Sequence, residues 1–188
     1  AAGDIPPRID SGYRYADMNK GPETPVSRAH KAQGSPMGIL SPMGGAAIAA
    51  EELFKRAQKE EIHLWGISGY RSYKRQEALF SSANGRPGVA PPGCSEHQTG
   101  LALDISCPDE NYELEESFAK TKEGCWLARH CALFGFILRY PKNKEEITGF
   151  PFEPWHIRYT GIGLASSLTL TGMTLEEYYE RGLHLPPK

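Results

Sequence analysis

One acidic residue interrupts an apolar run near the middle of the chain, Leu101-Ala102-Leu103-Asp104-Ile105. The run has the length and composition of a strand, and alternate residues of a strand point to opposite faces. The leucines and Ile105 are therefore predicted to point into a core, whereas Asp104 points into a cleft on the other face. An unpaired carboxylate is costly to bury. The strand thus predicts that a metal ion or a salt bridge accompanies Asp104.

The remaining patterns predict helices and strands that do not strictly alternate. Helices are predicted over 46–60, from Ser72 past Phe80, over 113–134 with an interruption at Gly124 and an end at Gly135, and after the capping-box pattern Thr174-Leu175-Glu176-Glu177. Further strands are predicted over 62–67, 136–140 and 155–159. This arrangement favours an α+β fold with a small, mainly antiparallel sheet flanked by helices.

The length and composition favour one soluble domain. The 188 residues suit a single domain, which we assign to 1–188 with an irregular, Pro- and Gly-rich N-terminal arm over 1–44. A net charge of −2 gives no basic surface for nucleic acid. No apolar run reaches the roughly 18 residues that a transmembrane helix needs.

The N-terminal residues and the four cysteines indicate where the protein is located. The chain opens Ala1-Ala2-Gly3 without Met, which favours the terminus left by a signal peptidase over an arbitrary boundary. We therefore expect an exported protein of the cell envelope or extracellular space. Four cysteines allow disulfides, with Cys107 joined to Cys125 or Cys131, or four buried free thiols.

Two histidines are candidates for the same metal site as Asp104. His97 lies in SEHQTGLALD and His156 in FEPWHIRY, while the HExxH motif is absent. A catalytic zinc takes three protein ligands and leaves one position for water. His97, Asp104 and His156 would supply two imidazoles and one carboxylate. Spacing alone also allows an ordinary cleft aspartate.

Two further charged residues have roles that such a site would need. Glu153 lies three residues before His156 and is the candidate general base, although it could also be a surface residue beside Pro154. Arg71 follows a predicted strand end and can hold a carboxylate through two parallel hydrogen bonds. Gln76 lies about one helical turn further on and could assist. The alternative for Arg71 is a salt bridge to a nearby glutamate.

Four segments together resemble the VanY-type D-alanyl-D-alanine carboxypeptidases, zinc peptidases of a fold group that includes lysostaphin-like and hedgehog-type domains. These segments are SGYRSYKRQEALF (68–80), GCSEHQTGLALDI (93–105), GFILRYP (135–141) and ITGFPFEPWHIRYTG (147–161). The resemblance implies one Zn²⁺ ion held by His97, Asp104 and His156, with Glu153 as the catalytic base. It also implies that Arg71, Gln76 and Ser95 bind the substrate's terminal carboxylate, and that Tyr140 lies near the leaving D-alanine.

The implied activity is hydrolysis of the C-terminal D-alanine from peptidoglycan stem peptides by a monomeric D,D-carboxypeptidase. An L,D-carboxypeptidase that trims tetrapeptide stems would carry the same motifs, and the difference would lie in loops 82–92 and 142–151. An endopeptidase would not need Arg71 and Gln76. An alternative of another class is a non-catalytic, zinc-containing wall-binding module, for which a base at Glu153 would be unnecessary.

Overall fold

The structure is a computed structural model and describes residues 42–84 and 88–182, with side chains from residue 45 onward. The arm predicted over 1–44 lies outside these residues, apart from 42–44, which belong to the first helix. His30 and His184 also lie outside the described residues.

A four-stranded antiparallel sheet organises the domain. Its strands are β1 (Trp65–Ser68), β2 (Ala102–Ser106), β3 (Phe136–Tyr140) and β4 (Glu153–Tyr159), in the order β1-β2-β4-β3. The predicted antiparallel α+β fold is therefore confirmed. Strand β1 begins later than predicted, at Trp65, and β4 begins earlier, so that Glu153 is part of the strand.

Six α-helices surround the sheet within the described residues. They are α1 (Pro42–Lys59), α2 (Tyr73–Ala83), α3 (Lys122–His130), α4 (Glu145–Thr148), α5 (Ile162–Thr171) and α6 (Leu175–Gly182). Ser72 caps α2 by accepting a hydrogen bond from the Arg75 amide. The capping box also forms, since Thr174 and Glu177 each accept a bond from the other's backbone amide.

The helix predicted over 113–134 is divided into shorter pieces. A 3₁₀ helix, Glu116–Lys120, ends at Thr121, whose hydroxyl accepts a bond from the Gly124 amide and so caps α3. A Cβ atom built on Gly124 would lie 1.9 Å from the Phe118 carbonyl oxygen. The predicted interruption at Gly124 was therefore misplaced: the chain turns at Thr121, and Gly124 lets the two pieces pack closely.

One face of the sheet carries the main core. Leu103 and Ile105 on β2 pack with Ile157 on β4 against buried residues of α1 and α3, as the alternation around Asp104 predicts. A second, smaller cluster joins Ile137 to α5 and α6. All four cysteines are free thiols. No helix among the described residues is both long and apolar enough to span a membrane.

Candidate active site and metal centre

Three potential metal ligands meet on the face of the sheet opposite the main core. Asp104 on β2 lies directly across from His156 on β4, so both side chains leave the same face. The Asp104 Oδ1 atom is 2.9 Å from His156 Nδ1, and its Oδ2 atom is 3.1 Å from His97 Nε2. All three residues are at least 95% buried. The structure thus brings together the three predicted ligands.

His97 reaches this cluster from a 3₁₀ helix, Glu96–Thr99, that precedes β2. Its Nδ1 atom lies 2.7 Å from the Gly69 carbonyl oxygen, and its own carbonyl accepts a bond from the Arg71 amide. A carbonyl only accepts hydrogen bonds, so the proton is on Nδ1. Nε2 is therefore the ring nitrogen that faces Asp104 and the other candidate ligand atoms.

The donor set fits a divalent cation such as zinc. Two imidazole nitrogens and one carboxylate, with ligand atoms all within 4.8 Å of one another, match the ligands of catalytic zinc sites. Burial opposes ionisation of Asp104, yet the nearby histidines hold its pKa well below the usual range. Burial likewise disfavours the His156 cation, but Asp104 and Glu96 raise the pKa of His156 to about 9. Asp104 is therefore a carboxylate, the form in which it can ligate a cation.

Glu153 and Tyr140 form one wall of the site. Glu153 Oε2 lies 3.9 Å from His156 Nδ1, and burial raises the pKa of the Glu153 carboxyl to about 7. The Tyr140 ring stacks on Phe150 and lies 5.0 Å from the His156 ring, centroid to centroid. An irregularity in the β3–β4 pairing after Leu138 places Tyr140 opposite Glu153. The predicted base and lining residue thus adjoin the three candidate metal ligands.

Arg71 also adjoins the cluster, next to Asp104. Its guanidinium is 4.0 Å from Asp104 Oδ2 and donates hydrogen bonds to Gln76 Oε1 and Ser68 Oγ. The Gln76 side chain is fully buried, and its nitrogen donates to the Ala90 carbonyl. Gln76 therefore orients Arg71, while two of the five guanidinium N–H donors are used within the chain. Among the described residues, the alternative pairing of Arg71 with a local glutamate is not formed.

The three candidate metal ligands, Glu153 and Arg71 line one cleft of about 520 Å³, whereas the buried Gln76 does not reach it. Arg71, Ser95 and Tyr140 all contribute to its walls, next to the metal ligands and Glu153. The surrounding loops supply residues 88–90, 112–116 and 150–152. The sequence analysis had named the loops that contain residues 88–90 and 150–151. It missed the acidic segment 112–116, because this segment reaches the cleft only through the turn that follows β2.

Glu96 is a further site residue that the sequence analysis did not single out. Its Oε2 atom lies 3.6 Å from His156 Nε2, and its Oε1 atom accepts from Arg139 Nε at 2.7 Å. Arg158 Nη1 is 2.9 Å from the same oxygen. Burial would raise the pKa of Glu96, but His156 and the two arginines lower it to about 2. Glu96 is next to His97 in the sequence, in the 3₁₀ helix that precedes β2. It comes close to His156 because β2 pairs with β4.

Comparison with known proteins identifies the family of this arrangement. Residues 43–162 match the family model described as VanY, D-alanyl-D-alanine carboxypeptidase. Over 143 residues, 46% are identical to "Putative carboxypeptidase YodJ" of Bacillus subtilis, covering 72% of this chain and 52% of that protein. The bifunctional D-Ala-D-Ala dipeptidase and carboxypeptidase VanXYC of Enterococcus gallinarum is 37% identical, with 69% and 73% of the two chains covered.

Solved structures with different specificities are also similar. The LdcB LD-carboxypeptidase gives a TM-score of 0.69 at 45% identity, covering 72% of this chain and 67% of that chain. A mutant of the VanY D,D-pentapeptidase in complex with Zn(II) gives 0.62 at 34% identity, covering 71% and 81%. The L,D-carboxypeptidase DacB of Streptococcus pneumoniae gives a TM-score of 0.60 at 38% identity, covering 72% of this chain and 74% of that chain. The present chain spans about half the length of YodJ.

Proposed function

Because this chain belongs to the VanY family of D-alanyl-D-alanine carboxypeptidases, we propose that it is a zinc-dependent carboxypeptidase that releases the C-terminal D-alanine of peptidoglycan stem peptides. Such substrates belong to the cell wall, so we expect the protein to act at the cell envelope, and to act there as a monomer. The observation that carries the proposal is the location of Arg71, 4.0 Å from Asp104, in the same cleft as Glu153. A carboxylate-binding group beside a candidate metal centre suits an enzyme that removes one terminal residue.

His97, Asp104 and His156 would hold the zinc ion. When bound, zinc supplies Lewis-acid activation of the scissile carbonyl and of water. The Gly69 carbonyl keeps the His97 ring in the orientation that presents Nε2 to the centre. Asp104 keeps its negative charge because both histidines stabilise it. These three side chains come from separate segments, so the centre requires the folded sheet.

Arg71 would bind the terminal carboxylate of the substrate. Gln76 and Ser68 fix its guanidinium plane, and the remaining N–H donors are available to a ligand. Ser95, also on the cleft wall, would provide a hydroxyl donor to the same carboxylate. Gln76 then assists through Arg71, since both polar atoms of its side chain have partners within the chain.

Glu153 would act as the general base and acid. Its carboxylate lies at the edge of the metal cluster, where it can accept a proton from the attacking water. The same carboxyl group can then donate that proton to the nitrogen of the departing D-alanine. Tyr140, opposite Glu153 on the neighbouring strand, would form the wall against which the leaving residue packs.

Two bonds are candidates for cleavage. D,D-cleavage of a pentapeptide ending in D-Ala-D-Ala is the first, because the matched family and VanXYC are both described by that activity. L,D-cleavage of a tetrapeptide is the second, because the LdcB structure is 45% identical while the VanY structure is 34% identical. The two activities differ in the residue that precedes the released D-alanine, which would lie in the outer cleft against loop 112–116.

The deciding experiment offers both substrates to the zinc-loaded protein. Defined pentapeptide and tetrapeptide muropeptides are incubated side by side, with and without a chelator, and analysed by mass spectrometry. Loss of one alanine from the pentapeptide, prevented by the chelator, would support the D,D activity. Loss from the tetrapeptide alone would support the L,D activity instead.

Other outcomes would contradict the proposal. Cleavage within a cross-linked peptide, without release of free D-alanine, would indicate an endopeptidase. Failure to cleave any of these substrates, combined with chelator-independent muropeptide binding that depends on Arg71, would indicate the non-catalytic wall-binding module.

A further inference from the structure

A chain of charged side chains links the metal centre to the C-terminal helix. Arg139 on β3 donates to Glu96 through Nε and to both carboxylate oxygens of Glu176 through Nη1 and Nη2. Arg158 on β4 adds a second positive charge to Glu96. Arg139 is 9% exposed, so these contacts are largely shielded from water. The result is a partly buried network that begins beside His156 and ends on α6.

The two atoms at the inner end of this network have no hydrogen bond. His156 Nε2 and Glu96 Oε2 are both buried and lack a hydrogen-bond partner among the described residues. They lie 3.6 Å apart, which is within the distance of an ion pair but longer than a hydrogen bond. Buried polar atoms are nearly always paired. Each atom is therefore the natural partner of the other.

Metal binding changes what His156 requires. In the present arrangement its Nδ1 atom is bonded to Asp104. A histidine that ligates a metal through Nδ1 must carry its proton on Nε2, and that N–H usually donates to a carboxylate or a carbonyl. Glu96 supplies such a carboxylate at the correct nitrogen. The Gly69 carbonyl has the equivalent position behind His97.

We propose that Glu96 is a positioning residue for His156, and that α6 keeps Glu96 in place through Glu176 and Arg139. This inference rests on the proposed metal site. Glu96 accepts the Nε2 proton of His156 and so fixes the tautomer and the ring orientation that direct Nδ1 at the metal. The two arginines prevent the Glu96 carboxylate from turning away. Helix α6 lies beyond residues 43–162, the part matched by the family model, yet it supports the metal centre.

Zinc affinity measured by competition with a chromophoric chelator tests this inference without any peptide substrate. Glu96→Gln should weaken zinc binding about 10- to 100-fold, the usual effect of losing a partner behind a metal ligand. Glu176→Gln should weaken it less, since it acts through Arg139. Glu180→Gln is the matched control, because it removes the same charge from an exposed residue of the same helix α6. Its zinc affinity should equal that of the wild type.

A spectroscopic measurement separates positioning from a general loss of stability. In zinc-loaded protein labelled with ¹⁵N at histidine, the wild type should show His156 protonated at Nε2. Glu96→Gln should shift or broaden that resonance while the His97 resonances stay in place. Thermal unfolding of the metal-free variants shows whether each one folds.

The possible results distinguish the two proposals. Failure of the wild type to bind zinc would overturn the metal site and this inference together. Zinc binding by the wild type, with unchanged affinity and an unchanged His156 resonance in Glu96→Gln, would overturn the role of Glu96 alone. Loss of affinity in Glu96→Gln with none in Glu176→Gln would overturn the part assigned to α6.

Discussion

At the scale of single residues, two opposite charges adjoin the candidate metal ligands. The Arg71 guanidinium lies 4.0 Å from the Asp104 carboxylate, and the Glu153 carboxylate lies 3.9 Å from the His156 ring. The positive group can bind the end of a peptide, and the negative group can move a proton. The two functions can therefore be separated by substitution at one residue at a time.

Substitution of Arg71 by Lys should weaken productive binding of the substrate. Lysine keeps the charge but loses the planar pair of donors. Charge-assisted hydrogen bonds contribute about 1.5–3 kcal/mol, so kcat/KM should fall roughly 10- to 100-fold. Steady-state kinetics measures the change, with Arg75→Lys on the exposed surface of α2 as the control.

A substrate with an amidated C-terminus gives the matching test for Arg71. The wild type should lose activity on this substrate, whereas Arg71→Lys should lose little more, because the interaction is already removed. If amidation lowers kcat/KM by the same factor in Arg71→Lys as in the wild type, Arg71 does not contact the terminal carboxylate.

Substitution of Glu153 by Gln should abolish proton transfer and leave the metal ligands intact. General base catalysis contributes about 10²- to 10⁴-fold, and kcat should fall by an amount in that range. Zinc content, measured on the same preparation, should stay at the wild-type level. Glu77→Gln, on the exposed surface of α2 and outside the cleft lining, is the control and should retain most activity. Full activity in Glu153→Gln would remove Glu153 from the mechanism.

The sequence was informative about the candidate metal ligands, which the structure brings together, and uninformative about Glu96. Asp104 is conspicuous because an unpaired carboxylate in an apolar strand is costly to bury. The two histidine motifs complete a set of three candidate ligands. Glu96 resembles any exposed helical glutamate in the sequence. Its contacts with Arg139 and His156 depend on the pairing of β3 and β4, which are distant from it along the chain.

At the scale of elements, local signals predicted segments better than their junctions. The caps at Ser72 and Thr174 formed because each depends on residues within one turn. The division of segment 113–134 depends on packing between Phe118 and Gly124, which helical periodicity cannot reveal. Helix α5 was missed because its apolar residues lie on more than one face: Leu168 is buried, whereas Ile162 and Leu170 are exposed.

Substitution of Gly124 by Ala should destabilise the domain. The added methyl group would overlap the Phe118 carbonyl, and overpacking of this kind costs about 1–3 kcal/mol. Urea unfolding of the metal-free protein measures the free energy of unfolding. Gly163→Ala in α5 is the control: its Cβ atom meets nothing within 4 Å, and alanine favours a helix by up to about 1 kcal/mol. Equal stability of the two variants would contradict the close packing at Gly124.

At the scale of the whole molecule, the candidate metal ligands join two strands, β2 and β4, that are far apart in the chain. His97 precedes β2, Asp104 lies on β2 and His156 lies on β4, so an ion bound by all three would connect the central strands. A ligand that binds only the folded state adds to the free energy of unfolding in proportion to the logarithm of its concentration. The metal should therefore act on the stability of the entire domain.

Zinc should raise the midpoint of thermal unfolding, and a chelator should reverse the effect. At a free zinc concentration about 1,000 times the dissociation constant, the expected gain is about 4 kcal/mol. Differential scanning calorimetry over a zinc series measures the shift. Asp104→Ala, which lacks one ligand, should show little zinc-dependent change. An equal shift in this variant would locate the stabilising ion elsewhere.

The strand order β1-β2-β4-β3 also determines when the centre can be assembled during synthesis. Strand β4 enters the sheet between two strands made earlier, and β3 has no partner until β4 arrives. A nascent chain that has not yet emerged past Tyr159 has an incomplete sheet and lacks His156 at its place beside Asp104. Capture of the ion must follow release of nearly the whole domain, so the metal-loaded state marks a molecule that has finished folding.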